Sequence, residues 1–465
     1  MVEIALIRPG PIQGGAVHPY IRRRTGQEPV SYPHPLLEPV LERTLGVPLF
    51  QEQLMQMAVA VGGCTAEDAD LLRRAMGSKR GIEKIETLKA KLYAGMAGNG
   101  ITDEVADNVY ARIQAFANFG FAESHSLSFA VLVYASSWIK LHYPAAFLAA
   151  LLRAQPMGFY SPQTLVADAR RHGVEVRRPD ILRSEADASL ELLAALGTTG
   201  LDDCLSFEQP PIGPFDRAAP NQTLHHRRDG GSAVRLGLAS VTSIGAALAE
   251  RIVAERNDFG PYRDLADLAR RVGLNTNQLE ALASAGAFES LKLTRREALW
   301  GAGAAAQEKP DQLEGTSISV QPPLLPMLTA AEQLAYDLWA TGISTDDHPI
   351  RYVRPGLSER GVLSIEQLES AETGRRIEVG GVVTHRQRPH TASGITFLNI
   401  EDETGILNVI ASQGVWARYR RIAREAPAMV IRGILERSPD GVTNLIADRF
   451  ENLSVGVRTI SRDFK

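Results

Sequence analysis

The sequence predicts a multidomain α+β chain: mainly α-helical, with a helix-hairpin-helix region and a C-terminal five-stranded OB-type β-barrel. Three observations carry this. A length of 465 residues is two to four times that of a usual domain, which favours about three domains. Apolar residues recur at helical spacing through most of the chain, as at Leu54, Met55, Met57, Ala58 and Val61. From 375 to 456 the period changes to the alternation of strands, as in Ile377, Val379 and Gly381.

Hydrophobic residues at 44%, charged residues at 22% and a mean hydropathy of -0.11 describe a chain able to bury a core. The net charge of -4 gives no global attraction to nucleic acid or to a membrane surface, so any polyanion site must be local. Of the 50 basic residues, 42 are Arg, a ratio compatible with base composition of the genome and with fork-shaped phosphate recognition. Cys64 and Cys204 are the only cysteines and have neither disulfide-framework nor zinc spacing. No signal pattern opens the chain, and its longest strongly apolar stretch, Phe129 to Ile139, is roughly half a membrane span. A reducing, cytoplasmic location without membrane insertion is the expectation.

In order, Ile4 to Ile7 reads as a short strand stopped by Arg8-Pro9-Gly10-Pro11, and a start within a strand implies that sequence upstream is missing. Helices follow at Gln51 to Val61 and after Thr65, where Thr65 with Asp68 gives a cap and Gly77 a stop. Pro144 must kink or restart the helix that begins near Ser124. Ser161-Pro162 opens another helix, and Val174 to Val176 a strand. Residues 184 to 233 read as a linker or variable insertion, rich in loop chemistry such as Gln209-Pro210-Pro211. Helices return over 234 to 300. A breaker-rich stretch then ends in Gln321-Pro322-Pro323-Leu324-Leu325-Pro326, which reads as linker rather than as a clamp-binding peptide. The barrel strands enclose one helix, Gln413 to Arg424, between the third and fourth.

Between Leu71 and Lys91, seven basic residues oppose two acidic ones. Arg73, Arg74, Lys79 and Arg80 could clasp a polyanion, or form a solvated helix end that complements the helix dipole. Ser124 and His125 stand at a helix start after an aromatic-glycine turn, as a cap or as a functional pair. Ser243, Ile244 and Gly245 sit in a helix-hairpin-helix layout, in which a tight turn aims backbone N–H groups at a DNA phosphate. Ser243 replaces the usual first glycine, and a plain helical hairpin is the alternative. In the barrel, Arg386, Arg388, Arg420 and Arg421 could follow a nucleic-acid backbone while Phe397 or Trp416 stacks bases, unless both rings pack into the core. Asp202-Asp203, Asp346-Asp347 and Glu401-Asp402-Glu403 do not read as a two-metal set, and the last is a natural turn.

Leu6-Ile7-Arg8-Pro9-Gly10-Pro11, Phe50-Gln51-Glu52-Gln53-Leu54-Met55, Leu72-Arg73-Arg74-Ala75-Met76-Gly77 and Phe119 to His125 occur in this order. In these motifs the chain resembles bacterial C-family DNA polymerases, the DnaE-type alpha subunits. Glu123, where replicative enzymes usually carry Lys, together with Arg386-Gln387-Arg388-Pro389, Glu401 to Gly405 and Ser461 to Phe464, resembles the error-prone branch. The resemblance implies a C-terminal portion: palm remnant and fingers over 1–160, connector with linker over 161–233, helix-hairpin-helix region over 234–300, linker and short helices over 301–374, OB-fold over 375–456 and a tail over 457–465. It assigns Arg73 and Arg74 to the triphosphate of an incoming dNTP, with Lys79 and Arg80 as helpers and Ser124 and His125 as a fingers motif. DNA and dNTP are the implied ligands, with accessory mutasome proteins and, through them, the sliding clamp as partners. Mg²⁺ serves the parent enzyme through palm aspartates that match nothing here, so no catalytic or metal residue is assigned and the chain alone is expected to be inactive. A DNA-binding remnant or a subunit complemented in trans is the competing expectation.

Overall fold

The computed structural model describes residues 1–6, 17–76, 81–115, 121–158, 160–193, 227–229, 231–308, 322–389, 392, 394–438, 442–457 and 461–464. The chain divides into two compact units, Met1–Ser137 and Trp138–Lys465, with the division inside the helix Glu123–His142.

The first unit is helical. Its opening run is the helix Val2–Leu6, not a strand. A four-residue apolar run is ambiguous by pattern alone, and the helix buries Ala5 and Leu6 together against Val47, Leu49, Phe50 and Phe121. The Arg8 to Pro11 motif lies outside the described residues. The helix Gln51–Gly62 starts where the buried Gln53 side chain accepts the N–H groups of Leu49 at 3.0 Å and Phe50 at 3.2 Å. It ends at Gly63, whose φ of 60° suits a residue without Cβ. Ala66–Ala75 has the expected cap: Thr65 N–H donates to the Asp68 carboxylate at 2.7 Å, and Asp68 N–H donates to the Thr65 hydroxyl at 3.3 Å. The expected stop, Gly77, lies outside the described residues. Gly81–Gly98 and Asp103–Ala115 complete the bundle, and Leu54, Met57, Val61, Leu72, Ile85 and Leu92 fill its core. Each such side chain contributes about 1.5–3 kcal/mol of burial.

In the second unit Pro144 restarts the helix. The preceding one ends at His142, and Pro144–Arg153 follows with the proline in its first turn, where no N–H is needed. Pro162–Arg171 is capped by Ser161, whose hydroxyl accepts the Thr164 N–H at 3.1 Å. Strands β1 (Val176–Arg177), β2 (Ser189–Glu191) and β3 (Ala233–Arg235) form one sheet in the order β1-β3-β2. Both ends of the stretch 184 to 233, expected as a linker or variable insertion, are thus built into the sheet. Residues 194–226 lie outside the described residues.

Helices Gly245–Phe259, Leu265–Val272, Thr276–Ser284 and Arg295–Ala305 pack around Leu268, Leu279, Leu282 and Phe288. The helix Ala330–Ala340 is fastened to them by buried Asp337, which pairs with Arg178 at 3.3 Å and with Arg295.

The barrel is closed and five-stranded. Strands β4 (Arg376–Gln387), β5 (Thr396–Glu401), β6 (Ile406–Ala411), β7 (Ala428–Arg437) and β8 (Thr443–Asn452) run β4-β5-β6-β8-β7 and back to β4. The β6–β8 pair is parallel and the other four are antiparallel. Val379, Leu398, Val409, Ile431 and Leu445 fill the interior. The expected helix lies between β6 and β7 as two pieces, Gln413–Arg418 and Arg420–Glu425, divided at Tyr419. The expected tail adds a short strand, β9 (Arg462–Phe464), parallel to the end of β4.

Candidate functional site

In the first unit, Arg73 and Arg74 lie on the last turn of Ala66–Ala75, and both guanidinium groups reach Asp70 at 2.8 Å. One carboxylate thus gathers two exposed cations, and hydrogen bonding from Arg73 lowers its pKa from the ordinary carboxylate value. The partnership was legible as the spacing of three and four residues along a helix. Next to it, Lys91 pairs with Asp68, and this bond with the Thr65 cap holds Asp68 at about 2. Lys79 and Arg80 lie outside the described residues.

The glutamine-rich and aromatic-glycine motifs meet. Gln51 N–H donates to the Phe121 carbonyl at 3.0 Å, and the Phe50 and Phe121 rings stack with centroids 6.4 Å apart. Glu52 accepts the Glu123 N–H at 2.9 Å, satisfying a free donor at the start of Glu123–His142, while the Glu123 carboxylate forks onto Arg43. His125 is exposed, edge-on to Phe121 at 5.5 Å and Phe129 at 4.7 Å, and Ser124 is exposed. The buried hydroxyl of the motif is that of Ser126, which donates to the Met1 carbonyl. Arg43, Glu52 and Glu123 were not read as a set from the sequence, since they are joined only by the fold.

In the second unit, the turn before Gly245–Phe259 has left-handed backbone at Ser243, φ 68°, and at Gly245, φ 62°. Thr242, Ser243 and Gly245 are exposed and Ile244 is buried, so the turn faces solvent on an anchored base. Thr242 N–H donates to the Ala340 carbonyl at 2.7 Å, and Asn277 reaches the Ser243 hydroxyl at 3.5 Å. The starts of Gly245–Phe259 and Thr276–Ser284 are therefore neighbours.

In the barrel, Arg386 does not face solvent. It is 6% exposed, and its guanidinium donates to the Ala423 carbonyl at 2.7 Å, to the Ala426 carbonyl and to the Asp463 carboxylate at 3.3 Å. Its contacts fasten helix and β9 to β4, which corrects the expectation that it tracks a nucleic-acid backbone. Arg388, just past the strand, is exposed, as are Arg420 and Arg421. Phe397 is partly exposed at 36%, against the core-packing alternative, whereas Trp416 packs on the barrel core.

Mg²⁺ is the ion that the resemblance implies. Among the described residues, no group of three or more His, Cys, Asp or Glu side chains is placed to hold a metal ion. Asp346 is paired with Arg178, Asp347 with Arg351 and Asp402 with Arg354. Asp402 also accepts the N–H groups of Thr404 at 2.8 Å and Gly405 at 3.0 Å, as the predicted turn requires. These residues do not fit a two-metal site. Asp202 and Asp203 lie outside the described residues.

A family model described as bacterial DNA polymerase III alpha subunit finger domain matches residues 1–100, and a helix-hairpin-helix motif matches 173–298. An error-prone DNA polymerase of Cutibacterium acnes is 63% identical over the whole of this chain. By sequence, the chain is similar to a part of the error-prone DNA polymerases. Relatives bearing that name from Nocardia farcinica and Mycobacterium tuberculosis H37Rv are 53% and 51% identical, again over the whole chain. The chain spans 41%, 38% and 39% of the length of these three polymerases. Among the described residues, no helix is long and apolar enough to cross a membrane.

Proposed function

We propose that this chain is the nucleotide- and DNA-binding part of an error-prone DNA polymerase used in damage-induced translesion synthesis and repair in the cytoplasm. The observation that carries the reading is the exposed Arg73 and Arg74 pair inside the match to polymerase fingers. Two guanidinium groups gathered by one carboxylate offer several parallel donors, as triphosphate oxygens require, and Asp70 holds them until the nucleotide replaces it. Lys79 and Arg80 add positive charge, and Ser124 and His125 belong to the same fingers. The turn Ser243-Ile244-Gly245 binds a DNA phosphate through backbone N–H groups at a helix start, without reading bases. The strand order, the parallel β6–β8 pair and the helix before β7 support an OB-type barrel, in which Arg388, Arg420, Arg421 and Phe397 face a single strand. The parent reaction is template-directed addition of a deoxynucleotide with Mg²⁺, and accessory mutasome proteins link the enzyme to the sliding clamp.

The chain alone is proposed to bind and not to synthesise. With Mg²⁺, primed template and four dNTPs it leaves the primer unextended, and robust extension overturns this. Arg73→Ala with Arg74→Ala weakens a fluorescent dNTP at least about tenfold, the scale of losing two charge-assisted contacts. Unchanged binding removes the assignment. A DNA-binding remnant, favoured by the exposed hairpin turn, would keep salt-dependent DNA binding without any dNTP binding. A subunit complemented in trans would regain extension when the remainder of a relative is added.

A further inference from the structure

The helix Glu123–His142 carries no Asp, Glu, Lys or Arg between Ser124 and Ile139. Within the first unit, Leu127, Phe129, Val131, Leu132, Val133 and Tyr134 on this helix are 44–80% exposed. Leu127, Val131 and Tyr134 form one stripe at helical spacing, while Leu132 lies on a second side and Phe129 with Val133 on a third. A helix that is apolar all round belongs in a core. Six large apolar side chains exposed together within eight residues form a contiguous patch of the kind that marks an interaction surface, unlike singly scattered surface hydrophobics.

We propose that residues 127–134 are an interface that seats in an apolar cleft of the polymerase polypeptide lying outside the share of the relatives that this chain spans. The proposal rests on the reading of the chain as part of a longer polymerase. Charge rules out a nucleic-acid occupant, since the stretch offers no cation to a phosphate. Shape disfavours a second copy, because a two-fold self-contact covers one stripe and leaves the others wet. Length supplies the occupant: the Cutibacterium acnes relative is 63% identical over this chain, which spans only 41% of it. A cleft there can enclose several sides of the helix at once.

The test compares the chain alone with a chimera in which it replaces the matching part of the Cutibacterium acnes polymerase. Tyr134→Cys in a Cys204→Ser background is labelled with a maleimide, with Leu324→Cys, fully exposed, as the reference position. Expected is labelling of position 134 at least about 50-fold slower in the chimera and position 324 equally fast in both, as burial of one side requires. Equal rates at position 134 overturn the inference, as does slowing in the chain alone that grows with protein concentration, which would mark a self-interface. Nucleotide and DNA binding measured on the same samples separate the failures. Retained binding with fast labelling at position 134 rejects only the interface, and lost binding rejects the polymerase reading.

Discussion

Gly95 sets how closely two helices of the first unit approach. A Cβ there would lie 2.0 Å from the Gly62 carbonyl oxygen, 2.2 Å from its carbon and 2.8 Å from the Gly63 nitrogen. All three are backbone atoms, so no side chain can rotate away and Gln51–Gly62 must move off Gly81–Gly98. Overpacking of this kind costs about 3 kcal/mol, the upper end for one added methyl, while alanine returns about 1 kcal/mol of helix propensity. Gly95→Ala should therefore lose about 2 kcal/mol, which for a unit of 137 residues lowers Tm by roughly 5–10 °C. Gly98 in the same helix has nothing within 4 Å of the added carbon, so Gly98→Ala should gain about 0.5 kcal/mol. Gly62→Ala falls between them, since its Cβ meets the end of the Leu92 side chain at 2.5 Å. Circular-dichroism melts of the full chain, with hydrogen exchange over 81–98, would read the series. A Gly95→Ala melt as high as that of Gly98→Ala would refute the close-approach argument.

Three further outcomes follow from the second unit. Arg386→Ala should cost about 3 kcal/mol in urea denaturation because it leaves buried carbonyls unpaired, and Arg388→Ala less than about 0.5 kcal/mol; equal losses would contradict the placement of Arg386. Ser243→Gly should stabilise by about 1 kcal/mol by relieving a left-handed residue, with duplex affinity held within about twofold, and a lower Tm would count against that backbone. Glu401, pushed up to about 6 chiefly by burial, contributes stability that is full below its ordinary 4.5 and lost as pH rises through about 6. His348, pushed down to about 4 by burial, has the opposite sign: its contribution is present above 6.5 and lost as pH falls through about 4. Glu401→Gln should then leave only the His348 slope, with stability climbing across pH 4 to 6.5. A difference from the parent protein that stays constant across this range would exclude the assignment.

The features legible in the sequence are the local ones. Thr65 with Asp68, Ser161 before Pro162, and Pro144 act within one helical turn, and each stands where its chemistry put it. The barrel was legible because period-two alternation persists over many strands. The opening Ile4 to Ile7 run misled because a few apolar residues satisfy a strand and a helix turn equally. Residues 189–191 were missed because they gain order from β3, more than forty positions along the chain. Arg386 was misplaced for the same reason: a β-bulge between Val383 and His385 alters the facing of its strand, and its partners at Ala423, Ala426 and Asp463 are 37 to 77 positions away. At the candidate site, Arg73 and Arg74 were found through their run of charge. Arg43, Glu52 and Glu123, which join two motifs, have no common pattern in sequence.

Strand β9 occupies the flank of β4 at His385 to Gln387, beyond the stretch of β4 that pairs with β7. Removing residues 461–464 would bare a short ribbon of unsatisfied amide and carbonyl groups there and take the Asp463 carboxylate from Arg386. An affinity tag joined directly to that strand would strain the same seam. Preparations clipped near residue 460 should be the ones that aggregate on storage.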